Sequence, residues 1–378
     1  MDMNSNRRIA DGNRQSAGRK IRKAVPERRP RRRMPVAYIV FVLMLAALAA
    51  SVVLEWNKAQ SALRQANWHL LIPALLFTFI SLFLACATYA LINRAFGLPV
   101  STRRLLLVGF VNMAANNMFT LGGAAGSTVS VVLLRRKDVI VHDVLAASLF
   151  NSYLHLGIGA IVLPPSILYL MFLQQLSVLT RTAGAVVFVV SLAIAIVVNL
   201  AALLRPVRST LIRLLSRLVH LVSRQDLSRT FAEFDSSLTE GLTLLTARPK
   251  RLAFLLSYHL GSWGVGLVAL WFCFAALGRV PTTGVMISGY FIALAAGAIS
   301  MIPGGLGVQD GSMAGIYALL GMPLEIAVLA SILFRVLYYL LPFVIGLLIY
   351  WRELRRGTGE RRTQETGESA KDFWHLNP

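Results

Sequence analysis

A short run in the second half of the chain combines residue types that could bind a ligand inside an apolar segment. A proline ends a helix, and closely spaced glycines let backbone amides face a cavity. A helix that restarts after such a break presents free N–H groups, which could bind an anion such as a lipid phosphate. A tight turn with close packing explains the pattern equally well. The residues are Pro303, Gly304, Gly305, Gly307, Gln309 and Asp310.

Arg335 follows this run and lies about ten residues into the last apolar stretch, or roughly 15 Å along a helix. An arginine at the centre of a membrane span costs on the order of 3 kcal/mol, so it should face a partner or a wet cavity. Asp310 is the only acidic residue of the adjacent hairpin. The two side chains could form a purely structural ion pair, or they could hold an anionic headgroup through the planar fork of the guanidinium.

A second glycine-broken stretch lies in the first half, between Leu105 and Leu134. Its asparagines recur about every four residues and should share one helical face, which lines a polar groove or binds neighbouring backbone. We favour the groove. The candidate residues are Asn112, Asn116, Asn117, Gly122 and Gly123.

The elements that carry these residues are apolar helices. The chain is 56% hydrophobic, and its apolar runs of about 20 residues match the thickness of a bilayer. The sequence therefore predicts an all-α polytopic membrane protein with about six full transmembrane helices and two re-entrant helical hairpins, at 105–134 and 283–320. We place full spans near 36–54, 70–92, 144–172, 183–204, 252–277 and 325–351.

The formal net charge of +21 is concentrated in tails and loops. Cytoplasmic flanks of membrane spans collect Arg and Lys, and this explains the charge better than nucleic-acid binding. We therefore expect both termini in the cytoplasm. The non-membrane parts are a disordered basic arm at 1–35 that touches anionic lipid, a basic amphipathic loop at 205–251 and a disordered tail at 352–378.

Basic clusters at both ends of 105–134 predict that this stretch enters and leaves the membrane on the cytoplasmic side. The second interrupted stretch, 283–320, follows a span that runs outward, so it should open from the other face. The segments 144–150 and 328–334 agree at five of seven positions, which supports an inverted repeat of the halves 36–204 and 252–351. Such repeats are frequent in transporters.

The repeat aligns Asn151 with Arg335 and His155 with Tyr339, so polar residues should lie at matching depth in both halves. His155 could relay protons, although a hydrogen-bonded interior histidine is the more common reason for such a residue.

Enzyme signatures are absent from the sequence. It has no Gly-Lys dipeptide, no His-Glu-x-x-His helix, no Gly-x-Ser-x-Gly elbow and no Cys-x-x-Cys pair. Cys86 and Cys273 lie in separate apolar spans and should serve packing. We expect a transporter rather than an enzyme, without metal or cofactor.

The second-half motif resembles that of the lysylphosphatidylglycerol synthase transmembrane family, also called flippase-like domain proteins. The resemblance covers about residues 36–352 and rests on Pro303 to Asp310, Gly321, Ala330, Phe334 and Arg335. Asp310 stands where the family usually has glutamate, and Gly126-Ser127 replaces a usual Gly-Glu.

In the full-length synthase, such a membrane domain precedes a soluble module that transfers lysine from charged tRNA to phosphatidylglycerol, and is thought to flip the product outward. The resemblance thus implies a stand-alone membrane domain without this aminoacyltransferase module.

These observations predict a bacterial inner-membrane protein that translocates a phospholipid or a lipid-linked intermediate. Its partners would be membrane lipids with anionic headgroups, and the site would use the two kinks with Asp310 and Arg335. An alternative is an accessory or scaffold protein that presents a lipid substrate to a biosynthetic enzyme. An intramembrane transferase is a third interpretation.

Overall fold

The structure is a computed structural model that describes residues 56–118, 124–134, 141–173, 178–211, 213, 235–236, 239–243, 247–300, 305, 307–353 and 355. The arm at 1–35, the predicted span 36–54, most of the loop at 205–251 and most of the tail at 352–378 lie outside the described residues. So do Gly122, Gly123, Pro303 and Gly304. All regular secondary structure in the described ranges is helical, which confirms the all-α class.

The described residues of the first half form six α-helices and a short 3-10 helix, Trp68–Leu70. The α-helices are α1 (Trp56–Gln65), α2 (Leu71–Ala95), α3 (Thr102–Met118), α4 (Ala124–Leu134), α5 (Val141–Leu173) and α6 (Val178–Leu203). The second half contains α7 (Pro249–Ala276), α8 (Thr283–Ser300), α9 (Val308–Leu319) and α10 (Leu324–Arg335). A π-helical turn, Val336–Leu340, extends α10, and the whole 30-residue segment Leu324–Glu353 is named the final span.

Six of the described helices are long and apolar enough to cross a membrane. Five coincide with spans predicted from the sequence, which confirms a multi-pass membrane protein. The sixth, Thr283–Ser300, differs from the prediction, because the sequence analysis assigned it to one limb of a re-entrant hairpin. Its 18 residues rise about 27 Å, close to the thickness of the hydrocarbon core.

Helices α2 and α7 pack antiparallel and set the direction of the other elements. The hydroxyl of Ser81 donates a hydrogen bond of 2.7 Å to the carbonyl of Ser262, and the amide of Asn67 donates one of 2.8 Å to the carbonyl of Ala276. The C-terminal end of α2 therefore lies beside the N-terminal end of α7, near Arg251. We call this the basic end of the helix bundle, and the other the opposite end.

Helices α3 and α4 form an antiparallel hairpin, the first hairpin. The guanidinium of Arg104 donates a 2.8 Å hydrogen bond to the carbonyl of Leu133, and the amide of Asn112 donates one of the same length to the hydroxyl of Ser130. Because α3 begins a few residues after α2, both ends of this hairpin lie at the basic end.

Helices α8 and α9 form the second hairpin. The hydroxyl of Tyr317 donates a 2.8 Å hydrogen bond to the carbonyl of Met286, and Gly297 lies against Gln309 nearer the tip. This hairpin starts just after the C-terminal end of α7, so both of its ends lie at the opposite end of the bundle. The two hairpins therefore open in opposite directions, as an inverted repeat requires.

The second helix of each hairpin is short. Helices α4 and α9 have 11 and 12 residues, which corresponds to rises of about 17 and 18 Å, well below the roughly 30 Å of a hydrocarbon core. Re-entry of each hairpin into the membrane stays a prediction, and it can be tested by labelling.

We expect cysteines at Ser101 and Arg136 to react together with a membrane-impermeant maleimide from one face of the membrane. Cysteines at Arg279 and Leu324 should react from the other face, because the hairpins open at opposite ends. Cys86 and Cys273 are buried and would be replaced by alanine beforehand. Labelling of Ser101→Cys and Arg136→Cys from different faces would show that 105–134 crosses the membrane.

Candidate functional site

An ion pair joins the tip of the second hairpin to the final span. The Nε atom of Arg335 lies 2.8 Å from Oδ1 of Asp310, and its Nη2 atom lies 2.7 Å from Oδ2. Nη2 also donates a 3.2 Å hydrogen bond to the carbonyl of Gly305. The side chains are only 11% and 15% exposed, for Arg335 and Asp310 respectively. Such a two-point pair is among the strongest polar contacts available to a protein.

Two glycines shape the backbone that presents Asp310. Gly305 has φ of +57° and Gly307 has φ of +77°, conformations that other residues rarely adopt. Gly307 caps α9, and its amide donates a 3.2 Å hydrogen bond to Oδ2 of Asp310. The carboxylate also lies near the partial positive charge at the N-terminus of α9, a favourable position for an acidic side chain. Asp310 is therefore fixed by its own helix as well as by Arg335.

Tyr339 completes the surroundings of the guanidinium. The Cζ atom of Arg335 lies 4.7 Å from the centre of the Tyr339 ring, within cation–π range, and the amide of Gln309 donates a 2.8 Å hydrogen bond to the tyrosine hydroxyl. Gln309 was predicted from its sequence context to belong to the site, whereas Tyr339 was not. Its spacing of four residues from Arg335 was the available signal, because residues four apart share a helix face.

Polar contacts extend from this site across the bundle. The side chain of Tyr290 on α8 also interacts electrostatically with Tyr339. The hydroxyl of Tyr338 lies 2.7 Å from that of Ser81, which in turn donates to the carbonyl of Ser262. The π-helical turn is thus hydrogen-bonded to α2 and α9. Turns of this type are often found at functional sites.

The first hairpin holds a network of neutral amides near its tip. The amide of Asn116 donates a 3.1 Å hydrogen bond to Asn112, and the amide of Gly126 donates one of 2.8 Å to Asn116. Asn112 is 3% exposed and also bonds Ser130. These two asparagines therefore join α3 to α4. Among the described atoms, Nδ2 of Asn117 is buried without a partner.

The two tips approach the middle of the final span from either side. A Cβ atom at Gly346 would lie 2.8 Å from that of Ala114, so α3 contacts the final span eleven residues, about 16 Å, beyond Arg335. Met118, at the end of α3, lies one helical turn closer to the middle. The π-helical turn therefore lies between the levels of Gly305 and Met118, near the centre of the 30-residue span.

His155 and Asn151 lie on α5, which supplies none of the contacts given above for the ion pair. The His155 ring contacts His259 at 5.5 Å and Trp263 at 4.9 Å between centres, and its side chain is exposed on the surface of the bundle. His259, which the sequence analysis did not identify, is 6% exposed and its Nε2 atom has no partner among the described residues. In the same ranges, no group of three His, Cys, Asp or Glu side chains could hold a metal ion.

Comparison with known proteins identifies the family. The family model described as "Lysylphosphatidylglycerol synthase TM region" matches residues 36–346. The chain belongs to this family.

Two curated relatives, each named a UPF0104 membrane protein, come from Methanothermobacter thermautotrophicus. One is 24% identical over 256 residues, which cover 65% of this chain and 72% of the relative. The other is 22% identical over 317 residues, which cover 82% of this chain and 93% of the relative. Both comparisons support a membrane protein, and the match to the family includes both hairpins.

The close contact at Gly126 gives a stability prediction for this family member. A Cβ atom there would lie 2.4 Å from Nδ2 of Asn116, so Gly126→Ala should displace the asparagine and break the contact at the tip of the first hairpin. We expect a loss of about 1–3 kcal/mol, the usual cost of an unsatisfied buried polar group. The measurement is thermal unfolding of the purified protein in detergent.

Gly264→Ala is the matched control, because a Cβ atom at this helical position meets nothing within 4 Å. Its effect should be neutral or stabilising by up to about 1 kcal/mol, since alanine is the better helix former. Equal melting behaviour of both variants would contradict the proposed role of the Asn116 contact.

Proposed function

We propose that this protein is a lipid translocase, which moves the headgroup of a phospholipid or lipid-linked intermediate through the bilayer while the acyl chains stay in lipid. The observation that carries the proposal is the Asp310–Arg335 ion pair, placed beside the π-helical turn near the centre of the final span. Buried charges at such depth are costly and usually mark functional sites.

The headgroup meets an energetic barrier at the middle of the bilayer. A charged headgroup at the middle of the bilayer meets the same cost as a charged side chain, at least about 3 kcal/mol on insertion scales. Polar groups that take over its hydrogen bonds lower this barrier. Arg335 can bind a phosphate through two parallel N–H donors, and the Tyr339 hydroxyl, the Gln309 amide and the Gly305 carbonyl lie next to it.

The arrangement of the hairpins supports access from both faces. They open at opposite ends of the bundle, and the described residues next to their closed ends, Met118 and Gly305, lie on either side of the π-helical turn. Broken helices that meet near the midplane are how several transporter folds form a site reachable from each side in turn. The close helix contacts at Gly297, Gly305 and Gly346 allow small rigid shifts between packed elements.

The proposed location, orientation and class of the protein rest on the sequence. We place the protein in a bacterial inner membrane, with both termini in the cytoplasm, where its basic segments would contact anionic lipids. The chain acts as a transporter rather than as an enzyme and uses no cofactor. An accessory protein that presents a lipid to a biosynthetic partner is the competing proposal, and it requires no movement of headgroups.

The test is a translocation assay with the purified full chain in liposomes that contain acyl-labelled phospholipids. The double variant Asp310→Leu with Arg335→Met removes both charges together. Replacing a buried ion pair by apolar residues of similar size is often neutral for stability, so the variant should fold. We expect the translocation rate of the variant to fall at least about tenfold. A tenfold change corresponds to about 1.4 kcal/mol, roughly half of the 3 kcal/mol cost of a charge at the middle of the bilayer.

The matched control is Arg279→Gln with Glu325→Gln, which removes one charge of each sign at the opposite end of the bundle. Its rate should stay within about twofold of the wild type, a difference of less than 0.5 kcal/mol. If the Leu/Met double variant transports lipid at the wild-type rate, the ion pair has a structural role only. A wild-type protein that adds nothing to the rate of empty liposomes would favour the accessory role.

A further inference from the structure

We infer that the Asp310–Arg335 pair selects headgroups that carry one phosphate and one primary ammonium group, by exchanging partners with them. This inference rests on the proposed function and names its substrate class. In the observed state, the carboxylate and the guanidinium bind each other at two points, 2.8 and 2.7 Å apart, so the site carries no net charge.

A purely anionic headgroup fits this site poorly. A phosphate that bound Arg335 would take the guanidinium from Asp310 and leave the carboxylate beside another negative charge. Asp310 is only 15% exposed, and an unpaired charge at such a position is strongly unfavourable. The ion pair therefore opposes the binding of a lone anion, although it contains an arginine.

A zwitterionic headgroup restores both pairings. Its phosphate takes the guanidinium fork of Arg335, and its ammonium takes the position that the guanidinium leaves. The groups around that position already bind a cation: the Asp310 carboxylate, the Gly305 carbonyl at 3.2 Å and the Tyr339 ring at 4.7 Å. Two ion pairs replace one, and the charge of the site remains zero.

The two partners differ in their freedom to move. Asp310 is tied to its own helix, because the amide of the N-cap residue Gly307 donates a 3.2 Å hydrogen bond to its Oδ2. Arg335 has a long flexible side chain and directly precedes the π-helical turn. The guanidinium is therefore the partner that turns toward the phosphate, while the carboxylate stays to receive the ammonium.

The acceptors also distinguish between kinds of cation. The carboxylate of Asp310 and the carbonyl of Gly305 bind through hydrogen bonds, so they need N–H donors. A primary ammonium supplies three such donors, whereas a trimethylammonium supplies none and would interact with the carboxylate only by charge and with the Tyr339 ring. The site therefore favours an ethanolamine-type headgroup over a choline-type one.

The experiment compares acyl-labelled phosphatidylethanolamine, phosphatidylcholine and phosphatidylglycerol in liposomes of one host composition with the wild-type full chain. We expect the ethanolamine lipid to cross at least about tenfold faster than the glycerol lipid, with the choline lipid slower than the ethanolamine lipid. Equal rates for the ethanolamine and glycerol lipids, or a faster glycerol lipid, would overturn the inference and leave the proposed function intact. No movement of any lipid would overturn both.

Asp310→Asn provides the matched variant, because it keeps the shape of the side chain and removes its charge. The ethanolamine rate should fall and the glycerol rate should rise, so that their ratio drops at least about tenfold. Glu325→Gln, at the start of the final span, should leave the ratio unchanged. If both rates fall equally in Asp310→Asn, the carboxylate does not select the headgroup.

Should Asp310→Asn fail to fold, Asp310→Glu keeps the charge and retains the preference for the ethanolamine lipid. A Glu variant that folds but loses this preference would contradict the inference. The wild-type comparison decides the outcome without any variant.

Discussion

The arrangement of this membrane protein depends on one constraint, the cost of holding a charge in hydrocarbon. Arg335 lies near the middle of a 30-residue apolar helix, so it needs an anion at the same depth. The second hairpin supplies that anion at its tip, where Gly305 and Gly307 adopt positive φ and turn Asp310 toward the final span. The glycine-rich turn, the helix cap and the ion pair therefore form one unit.

The two halves use the same architecture for different chemistry. The tip of the first hairpin is joined by neutral amides and hydroxyls, with Asn116 bonded to Asn112 and to the amide of Gly126. The tip of the second is joined by opposite charges. Among the described residues, Asp310–Arg335 is the ion pair near the centre of a span. The proposed headgroup binding therefore belongs to the second half, whereas Asn112 and Asn116 join the two helices of the first hairpin.

Much of the candidate site could be predicted from residue types. Arginine in a long apolar run and a single acidic residue in the neighbouring hairpin predicted a partnership, because an unpaired charge at this depth is unfavourable. Tyr339 was not predicted as part of the site, since a tyrosine in an apolar helix has many possible neighbours. The contact between His155 and His259 could not be predicted either, because it depends on how α5 packs against α7.

The sequence by itself determined the all-α membrane class, five of the spans and the existence of two interrupted segments, because these follow from local hydropathy and from the backbone preferences of glycine and proline. Only the tertiary structure decided that Thr283–Ser300 is one helix long enough to cross, that the Tyr339 ring lies against Arg335 and that the π-helical turn lies near the centre of the final span. These features depend on contacts between residues far apart in the chain, such as Ser81 with Ser262, and local composition does not specify such pairings.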